Sequence, residues 1–245
     1  MTAPLITVTD LTMGWGDDNI LERQSFDVER GEVFAILGRS GCGKSTLLRY
    51  LTGLDEPRGG SVLFDGLGPP RMEVGRPTHG VMFQSGALFG SMSVGENLAL
   101  PLVEWTDLPA DAVSAIVRGK LRLVGLEGAE HKQPAELSGG MRKRAAIARA
   151  MALEPTVLFL DEPSAGLDPV TAAELDELIL ALCKGLGVTV VLVTHELESI
   201  FKIATRCILL HRESKSIIAR GDPRALRDGG GPEARRFFNR TTKEA

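Results

Sequence analysis

The stretch Gly38-Arg39-Ser40-Gly41-Cys42-Gly43-Lys44-Ser45 decides how this chain folds. The apolar run before it, 32–37, lacks polar alternation and is typical of a central strand buried on both faces of a parallel sheet. The residues after it, 44–51, have the apolar spacing of a helix. Strand, glycine-rich loop and helix in this order match the pattern G-x-x-x-x-G-K-[ST], in which backbone N–H groups converge on phosphates. The stretch therefore predicts a phosphate-binding loop, and a glycine-rich turn without a ligand is the alternative.

The residues of this loop have separate predicted roles. Lys44 is expected to reach the β- and γ-phosphates of a nucleotide, and the Ser45 hydroxyl is expected to bind Mg²⁺. The Cys42 side chain is expected to turn away from the phosphates as a small filler. Nucleotide binding is predicted for Gly38, Arg39, Ser40, Gly41, Cys42, Gly43, Lys44, Ser45 and Thr46.

Two adjacent carboxylates, Asp161 and Glu162, follow a second apolar run at 157–160. At the end of a buried strand they cost desolvation free energy unless a cation or a substrate compensates them. Ligands of open α/β sheets bind at the carboxyl ends of the strands. We expect Asp161 to hold the metal through water and Glu162 to polarise an attacking water. Acids that cap the next helix are the alternative, which Pro163 makes less natural.

A phosphate-binding loop alone fits kinases, GTPases and many ATPases, so the stretch Leu137-Ser138-Gly139-Gly140-Met141 is needed to discriminate among them. Its serine is a good N-cap, and its glycines leave N–H donors unobstructed at the start of a helix predicted over 141–153. Residues 142–144, Arg-Lys-Arg, then place three cations in the first turn, where the helix dipole disfavours them. We interpret these cations as facing a polyanion, and a solvated basic face is the alternative.

The composition is that of a globular chain of roughly one to two domains. The 245 residues are 43% apolar and 24% charged, which excludes collagen-like, fibrous and disordered classes. The net charge is −4, so nucleic acid is not an expected partner. Three cysteines without short spacing predict neither disulfides nor a zinc cluster and suit a reducing cytosol. No signal peptide is recognised, and no apolar run approaches the about 20 residues of a spanning helix.

The order of the runs predicts an α/β chain with a helical insertion. Residues 85–152 lack long β-branched runs and are expected to be mostly helical. Past Pro223, a glycine-rich linker at 228–232 is expected to precede a short basic-aromatic helix at 233–240. The remaining predictions are central strands at 156–160 and 188–193, half-exposed antiparallel strands at 5–11 and 25–28, and helices at 109–124 and 170–186.

In their order along the chain, these motifs resemble the ATP-binding subunits of ABC transporters, as far as about Arg220. The resemblance adds a glutamine loop at Gln84, a D-loop at 164–168 that ends in Asp168, and a switch histidine, His195. It implies a P-loop NTPase (RecA-like) α/β core with an antiparallel β subdomain and an inserted helical subdomain. The ATP-binding domain would cover 1–222, with the insertion at about 85–152, and a linker and tail would cover 223–245. Met141 departs from the family, which usually has Gln there, but its side chain is expected to cap the motif rather than to supply phosphate donors.

The resemblance also implies a role for each site residue. Two copies would face each other head to tail, with each ATP between the phosphate-binding loop of one copy and Ser138-Gly139-Gly140 of the other. Gln84 would contact Mg²⁺ or the attacking water, and Asp168 would belong to the nucleotide site. His195 would bond the γ-phosphate and help to hold Glu162. Trp15 would stack on adenine, with a packing role as its alternative.

Within the family, residues 83–89 and 136–150 are most similar to the Mla-type phospholipid transport ATPases, which work with MCE proteins. This implies phospholipid transport between the inner and outer membranes, a permease subunit in the inner membrane, an MCE-domain protein, and a peripheral place on the cytoplasmic face of the inner membrane. The small apolar stretch after Gln84 is expected to line a groove for a permease helix, and ordinary packing is the alternative. An importer ATPase for small polar solutes such as amino acids, or a soluble ABC ATPase without a transporter, are the alternative functions.

The tail Arg235-Arg236-Phe237-Phe238-Asn239-Arg240 follows the glycine-rich linker and carries two aromatics that look exposed. We expect it to dock on the partner ATPase or on a small accessory subunit. A weakly ordered tail is the alternative.

Overall fold

The computed structural model describes residues 3–68 and 77–240, and within them two β-sheets and eight α-helices. The strands are β1 (Ile6–Trp15), β2 (Asp18–Val28), β3 (Val33–Gly38), β4 (Gly59–Phe64), β5 (His79–Met82), β6 (Val157–Asp161), β7 (Thr189–Val193), β8 (Arg206–His211) and β9 (Ser216–Gly221). The helices are α1 (Lys44–Leu51), α2 (Val94–Trp105), α3 (Ala110–Leu123), α4 (Gly139–Ala150), α5 (Pro169–Leu186), α6 (Leu197–Ile203), α7 (Pro223–Gly229) and α8 (Pro232–Phe238), with a 3₁₀ turn at Pro134–Glu136.

The larger sheet has six strands in the order β5-β6-β7-β3-β8-β9. Neighbouring strands are parallel except at β9, which closes one edge in the antiparallel direction. Every residue of β3, β6 and β7 is buried, because helices or the second sheet cover both faces. The prediction of central parallel strands is therefore confirmed, and so is the α/β fold class.

The smaller sheet is antiparallel, in the order β2-β1-β4, and packs its apolar face on the larger one. Phe26 of β2 stacks on Phe34 of β3 with 5.8 Å between ring centroids. Strands β1 and β2 run further than predicted and meet in a hairpin that pairs Trp15 with Asp18. Register shifts after Val8 absorb the left-handed Asp10, so the strand continues although the alternation of the sequence is broken.

The segment between β5 and β6 is helical, as predicted, and no strand lies in it within the part of the chain that the structure describes. Its helices share one apolar cluster with β6 and β7. Helix α2 begins with a capping box between Ser93 and Glu96. None of the described helices is both long enough and apolar enough to cross a bilayer.

The prediction of a flexible linker and exposed aromatics in the tail is wrong. Helix α7 extends to Gly229 and α8 begins at Pro232, so only residues 230 and 231 connect them. Phe238 is buried, 5.7 Å from the ring of Phe201 on α6, and Phe237 is half-buried. Both rings pack in an apolar cluster that includes residues far away in the sequence, such as Leu37 of β3 and Ile200 of α6. Residues 241–245 of the predicted tail lie outside the described residues.

Candidate active site

Four adjacent parallel strands bring their motifs to one edge of the larger sheet. Gln84 follows β5, Asp161 ends β6, His195 follows β7 and Gly38 ends β3. Because the carboxyl ends of parallel strands meet at one edge, motifs that are far apart in the chain converge there. Gly38, Gln84 and His195 line a cavity of about 630 Å³, whereas Asp161 does not line it and lies beside Ser45, which does. The cavity is lined by Ile20, Gly38, Arg39, Ser40, Gly41, Gly43, Lys44, Ser45, Thr46, Gln84, Glu162, His195 and Phe237.

The loop between β3 and α1 needs its glycines for both conformation and space. Gly38 and Gly43 have φ angles of 147° and 99°, which L side chains rarely adopt. A Cβ at Gly38 would lie 2.4 Å from Cys42 Sγ, and one at Gly43 would lie 2.4 Å from Ile20 Cγ2. Cys42 itself is buried, does not line the cavity, and has its pKa raised by that burial. Its side chain therefore fills space behind the loop, as predicted.

The N-terminus of α1 opens into this cavity. Its N-cap is Gly43, which offers no side-chain cap, and its first turn holds no acidic residue. The free N–H groups and the positive end of the helix dipole suit an anion. Lys44 curls over the loop, and its Nζ donates to the carbonyl oxygens of Gly38 at 3.0 Å and Arg39 at 3.4 Å. Loop, helix and ammonium together form a cradle whose geometry suits a phosphate.

Ser45 and Asp161 face each other beside this cradle. The Ser45 hydroxyl lies 3.3 Å from Asp161 Oδ1, although the residues are 116 positions apart. Burial raises the pKa of Asp161, and the hydrogen bond from Ser45 opposes that rise. In the described ranges no three His, Cys, Asp or Glu side chains cluster as a metal cage. One carboxylate and one hydroxyl beside a phosphate cradle fit Mg²⁺, which takes few protein ligands and completes its shell with phosphates and water.

Glu162 and His195 form a second polar pair at the cavity. Glu162 is buried, and its Oε1 lies 2.9 Å from His195 Nδ1. Its Oε2 is buried without a hydrogen-bond partner. Buried polar atoms are nearly always hydrogen-bonded, so an orphaned carboxylate oxygen at a cavity indicates a place for a water or a ligand. The geometry suits a base whose orientation is fixed by an imidazole.

The predicted Ser138-Gly139-Gly140 and Asp168 lie elsewhere and do not line the cavity. Ser138 caps α4 by accepting a bond from the Met141 N–H at 3.2 Å. Asp168 caps α5 by accepting from the N–H groups of its first turn. A Cβ at Gly140 would lie 2.4 Å from Thr171 Cγ2, so this glycine also lets the starts of α4 and α5 approach. This second region is a pair of capped helix ends.

The prediction that Arg142, Lys143 and Arg144 face a polyanion is wrong for Lys143, which is buried, and stays a prediction for Arg142, which is exposed, and for Arg144, which is half-buried. Helix α4 begins at Gly139, two residues before its predicted start, so Arg142 ends the first turn, and Lys143 and Arg144 lie beyond it, where the dipole acts less strongly. Their side chains bind oxygens of the chain itself, and Arg144 pairs with the carboxylate of Glu174 at 3.0 Å. Arg142 donates to Leu137 O at 2.8 Å, and Arg144 donates to Val124 O at 3.2 Å. Lys143 is buried and donates to two carbonyls, so for this residue the alternative of a solvated basic face fails as well.

Two aromatic residues differ from what the sequence indicates. Trp15 is 51% exposed, with the guanidinium of Arg49 at 5.8 Å from its ring centroid, and it does not line the cavity. Phe237 does line it, although no motif points there. Ile20, another missed residue, reaches the loop from β2. Both contacts join segments that are distant in the sequence, so no local signal could have revealed them.

Comparisons with known proteins agree with this arrangement. A family model described as ABC transporter matches residues 21–165. The chain is 43% identical over 242 residues to the intermembrane phospholipid transport system ATP-binding protein MlaF of Escherichia coli, which covers 97% of this chain and 89% of that one. It is 41% identical over 239 residues to a probable ribonucleotide transport ATP-binding protein, mkl, of Mycobacterium leprae, covering 96% and 68%.

Solved structures show the same fold. The cbiO1 subunit of the cbiONQ ABC transporter complex from Clostridium perfringens superposes with a TM-score of 0.84 at 32% identity, covering 93% of this chain and 92% of that one. A dimeric ATP-binding cassette in a post-hydrolysis state, bound to ADP and Pi, has a TM-score of 0.78 at 27% identity, covering 89% and 98%.

Proposed function

We propose that this chain, which belongs to the ABC transporter family as an ATP-binding subunit and ATPase, drives phospholipid transport between membranes. The observation that supports phospholipid as the cargo is the 43% identity to an intermembrane phospholipid transport subunit over nearly the whole of both chains. Ribonucleotide is a second candidate cargo, because the 41% identity to mkl is almost as high.

The cradle would hold the triphosphate. Lys44 and the N–H groups of the loop would bind the β- and γ-phosphates, with Thr46 in the same helical turn. Ser45 and Asp161 would hold Mg²⁺, and Gln84 would contact it or the water. When bound, Mg²⁺ neutralises the charge that develops on the phosphates. Trp15 would stack on adenine with the face of its ring that Arg49 leaves open.

Glu162 and His195 would direct the attack on the γ-phosphate. The unpartnered Oε2 of Glu162 would accept a hydrogen bond from the attacking water and then its proton, while the water oxygen attacks phosphorus and ADP leaves. His195 would hold Oε1 through Nδ1. Because the His195 side chain is 59% exposed, it would also reach the γ-phosphate.

A second copy of the chain would complete each site. In this chain Ser138 and Asp168 cap helices away from the cavity, so they are free to meet a nucleotide bound to a partner. Neither half alone surrounds the γ-phosphate, and ATP bound between two halves therefore stabilises the dimer. The dimeric state of a structural neighbour supports this arrangement.

An apolar cavity of about 270 Å³ between α1, β5, α2 and α4 would receive a helix of the permease. Exposed Leu54 and Phe83 line it, together with Trp105. Residues 85–89, which the sequence predicts to line a groove, do not line this cavity. Gly86 packs toward Ala146 of α4, whereas Ser85, Ala87 and Phe89 are exposed. A short apolar helix laid in such a groove is a common recognition mode.

The rest of the assembly follows from the proposed cargo. The chain would lie peripherally on the cytoplasmic face of the inner membrane, with an MCE-domain protein on the permease. The ATP-binding domain would cover 1–222 and the tail 223–245. Of that tail, α8 leaves Arg235 and Arg236 exposed, which suits an acidic patch on the partner ATPase or on a small accessory subunit.

Affinity purification of the tagged chain from membranes of its own organism tests the cargo. We expect an integral permease and an MCE-domain ring to co-purify, and phospholipid to be found in the complex. A periplasmic solute-binding protein in their place would support import of a polar solute and contradict the proposal. Purification without any membrane protein, under conditions that retain a reference ABC complex, would support a soluble ABC ATPase instead.

A further inference from the structure

Lys143 is a buried cation in the second turn of α4. It is only 8% exposed, although lysine is almost never fully buried without a partner. Its Nζ donates to the carbonyl oxygen of Gln84 and, at 3.1 Å, to the carbonyl oxygen of Glu162. The two residues that it holds both line the nucleotide cavity, whereas Lys143 does not.

The positive charge of Lys143 is compensated by carboxylates at the edge of the sheet where its two carbonyl partners lie. Burial lowers the pKa of Lys143, and the carboxylates of Glu162 and Asp161 oppose that shift. Two carbonyl oxygens and two carboxylates therefore offset the loss of water around the ammonium. An apolar side chain in its place would leave those carbonyls without this donor.

The backbone that Lys143 holds is strained. Glu162 has a φ of 48°, in the left-handed region that non-glycine residues rarely adopt. Such conformations persist where surrounding contacts over-determine them. The carbonyl of Glu162 receives the bond from Lys143 and a longer one, at 3.2 Å, from the Ala165 N–H. The direction in which the carboxylate points depends on this peptide.

A second cation of α4 holds the loop that follows Gln84. Arg149 donates to the carbonyl oxygens of Gly86 at 3.0 Å and Ala87 at 2.7 Å. Both of these residues also have positive φ angles, 79° and 49°. Helix α4 thus holds two segments that contain left-handed residues, Glu162 in one and Ala87 in the other, but of its two cations only Lys143 reaches Glu162.

We propose that Lys143 is a positioning residue for ATP hydrolysis, which ties α4 to the backbone of Glu162 and Gln84 and so aims the Glu162 carboxylate into the cavity. The inference rests on the proposed role of Glu162 as the base. Helix α4 begins at the segment 138–140, which would meet the nucleotide of the partner. Lys143 therefore links that region to the catalytic carboxylate of its own chain.

The test is steady-state ATPase kinetics of Lys143→Met, which keeps an unbranched side chain as far as Cε and removes the ammonium. We expect kcat to fall about tenfold to a hundredfold, because small misplacements of a catalytic group have effects of this size. The KM for ATP should stay within about twofold, since the phosphate cradle is untouched. Lys143→Arg should retain most of kcat, and Lys143→Gln, with a shorter donor, should be intermediate and serves if the Met variant does not fold.

Lys202→Met is the matched control. Lys202 also donates to a backbone carbonyl, that of Ala173 at 2.9 Å, but it is on α6, away from the cavity. Its kcat and KM should remain within about twofold of the parent values. Arg149→Met, which loses a loop contact without touching Glu162, should lower kcat less than Lys143→Met does.

Several outcomes would overturn the inference. An unchanged kcat in Lys143→Met would do so, and so would equal losses in Lys143→Arg and Lys143→Met, or a loss fully explained by a lower folded fraction in thermal unfolding.

Glu162→Gln separates the proposed role of Lys143 from the proposed role of Glu162 as the base. If Glu162→Gln abolishes turnover while Lys143→Met does not alter kcat, only the role of Lys143 is wrong. If Glu162→Gln turns over normally, the proposed base is wrong.

Discussion

Two polar regions of the molecule are built on helix N-termini, and they differ in how completely those termini are capped. One is the cavity edge, where α1 begins. The other is the pair of capped helix ends, where α4 begins after Ser138 and α5 begins after Asp168. At the cavity edge, α1 has no side-chain cap, and residues from three further strands converge on its first turn. At the other region, Ser138 accepts from the Met141 N–H in the first turn of α4, and Asp168 accepts from two N–H groups in the first turn of α5. The uncapped end suits an anion within one chain, whereas in the proposed dimer the capped ends would meet a ligand only through a second molecule.

The largest expected effect concerns the cavity edge and removes its base. Glu162→Gln should lower turnover about 10²- to 10⁴-fold, the usual contribution of a positioned base, while ATP binding is retained. The amide keeps the volume and can still accept a bond on one oxygen. Phosphate release and equilibrium binding of ATP measure the two effects, and size-exclusion chromatography with ATP should detect a trapped dimer.

Lys44→Ala is the contrast for this variant, because it removes the phosphate cation and should weaken ATP binding itself. Normal turnover of Glu162→Gln would exclude Glu162 as the base. If only ATP-bound monomers were found, even with hydrolysis blocked and the membrane subunits present, the proposal that a second copy completes each nucleotide site would be wrong.

The next effect tests whether the two regions serve different molecules. Ser138→Arg should inactivate a homodimer, since the added cation blocks the approach of a partner's nucleotide. Mixed with Glu162→Gln, it should recover single-turnover hydrolysis of about one phosphate per mixed dimer, because a two-fold symmetric pair with crossed sites puts both defects in one site and leaves the other intact. Rapid-quench measurement of the mixture against each variant alone shows this recovery.

Ser138→Ala provides the control without added bulk, and it should give the same pattern with a weaker defect. No recovery with either serine variant would assign Ser138 and Glu162 to the same site and remove the difference between the regions.

Much of the cavity edge was predictable because strong local signals agree with the fold. Unbroken apolar runs mark β3, β6 and β7, and α1 spans the predicted residues 44–51. Parallel strands then carry Asp161 and His195 to the same edge without any further information. Strand β5, with four residues and a glycine, is too short to give such a signal.

The other region and the walls of the cavity were less predictable. Gly139 and Gly140 are poor helix formers, which moved the predicted start of α4 two residues too late. The Ser138 cap and the close contact of Gly140 with Thr171 override that propensity. The role of Lys143 depends on carbonyls 19 and 59 positions away, and no spacing rule connects them.

The smallest expected effect concerns Trp15, the last residue of β1. It is exposed and outside the cavity lining, so its ring would contribute stacking on adenine from the rim only. Aromatic stacking on a base is worth about 1–3 kcal/mol, and for a half-exposed ring we expect the lower end, so Trp15→Ala should raise the Kd for ATP roughly fivefold. The kcat at saturating ATP should not change, because the phosphate cradle and Glu162 are intact. Trp15→Phe, which keeps a ring, should bind ATP almost as the parent does in a fluorescent-nucleotide titration. If the parent, Trp15→Ala and Trp15→Phe bound ATP with equal affinity, Trp15 would have only a packing role, and the affinity for ATP would come from the phosphate cradle.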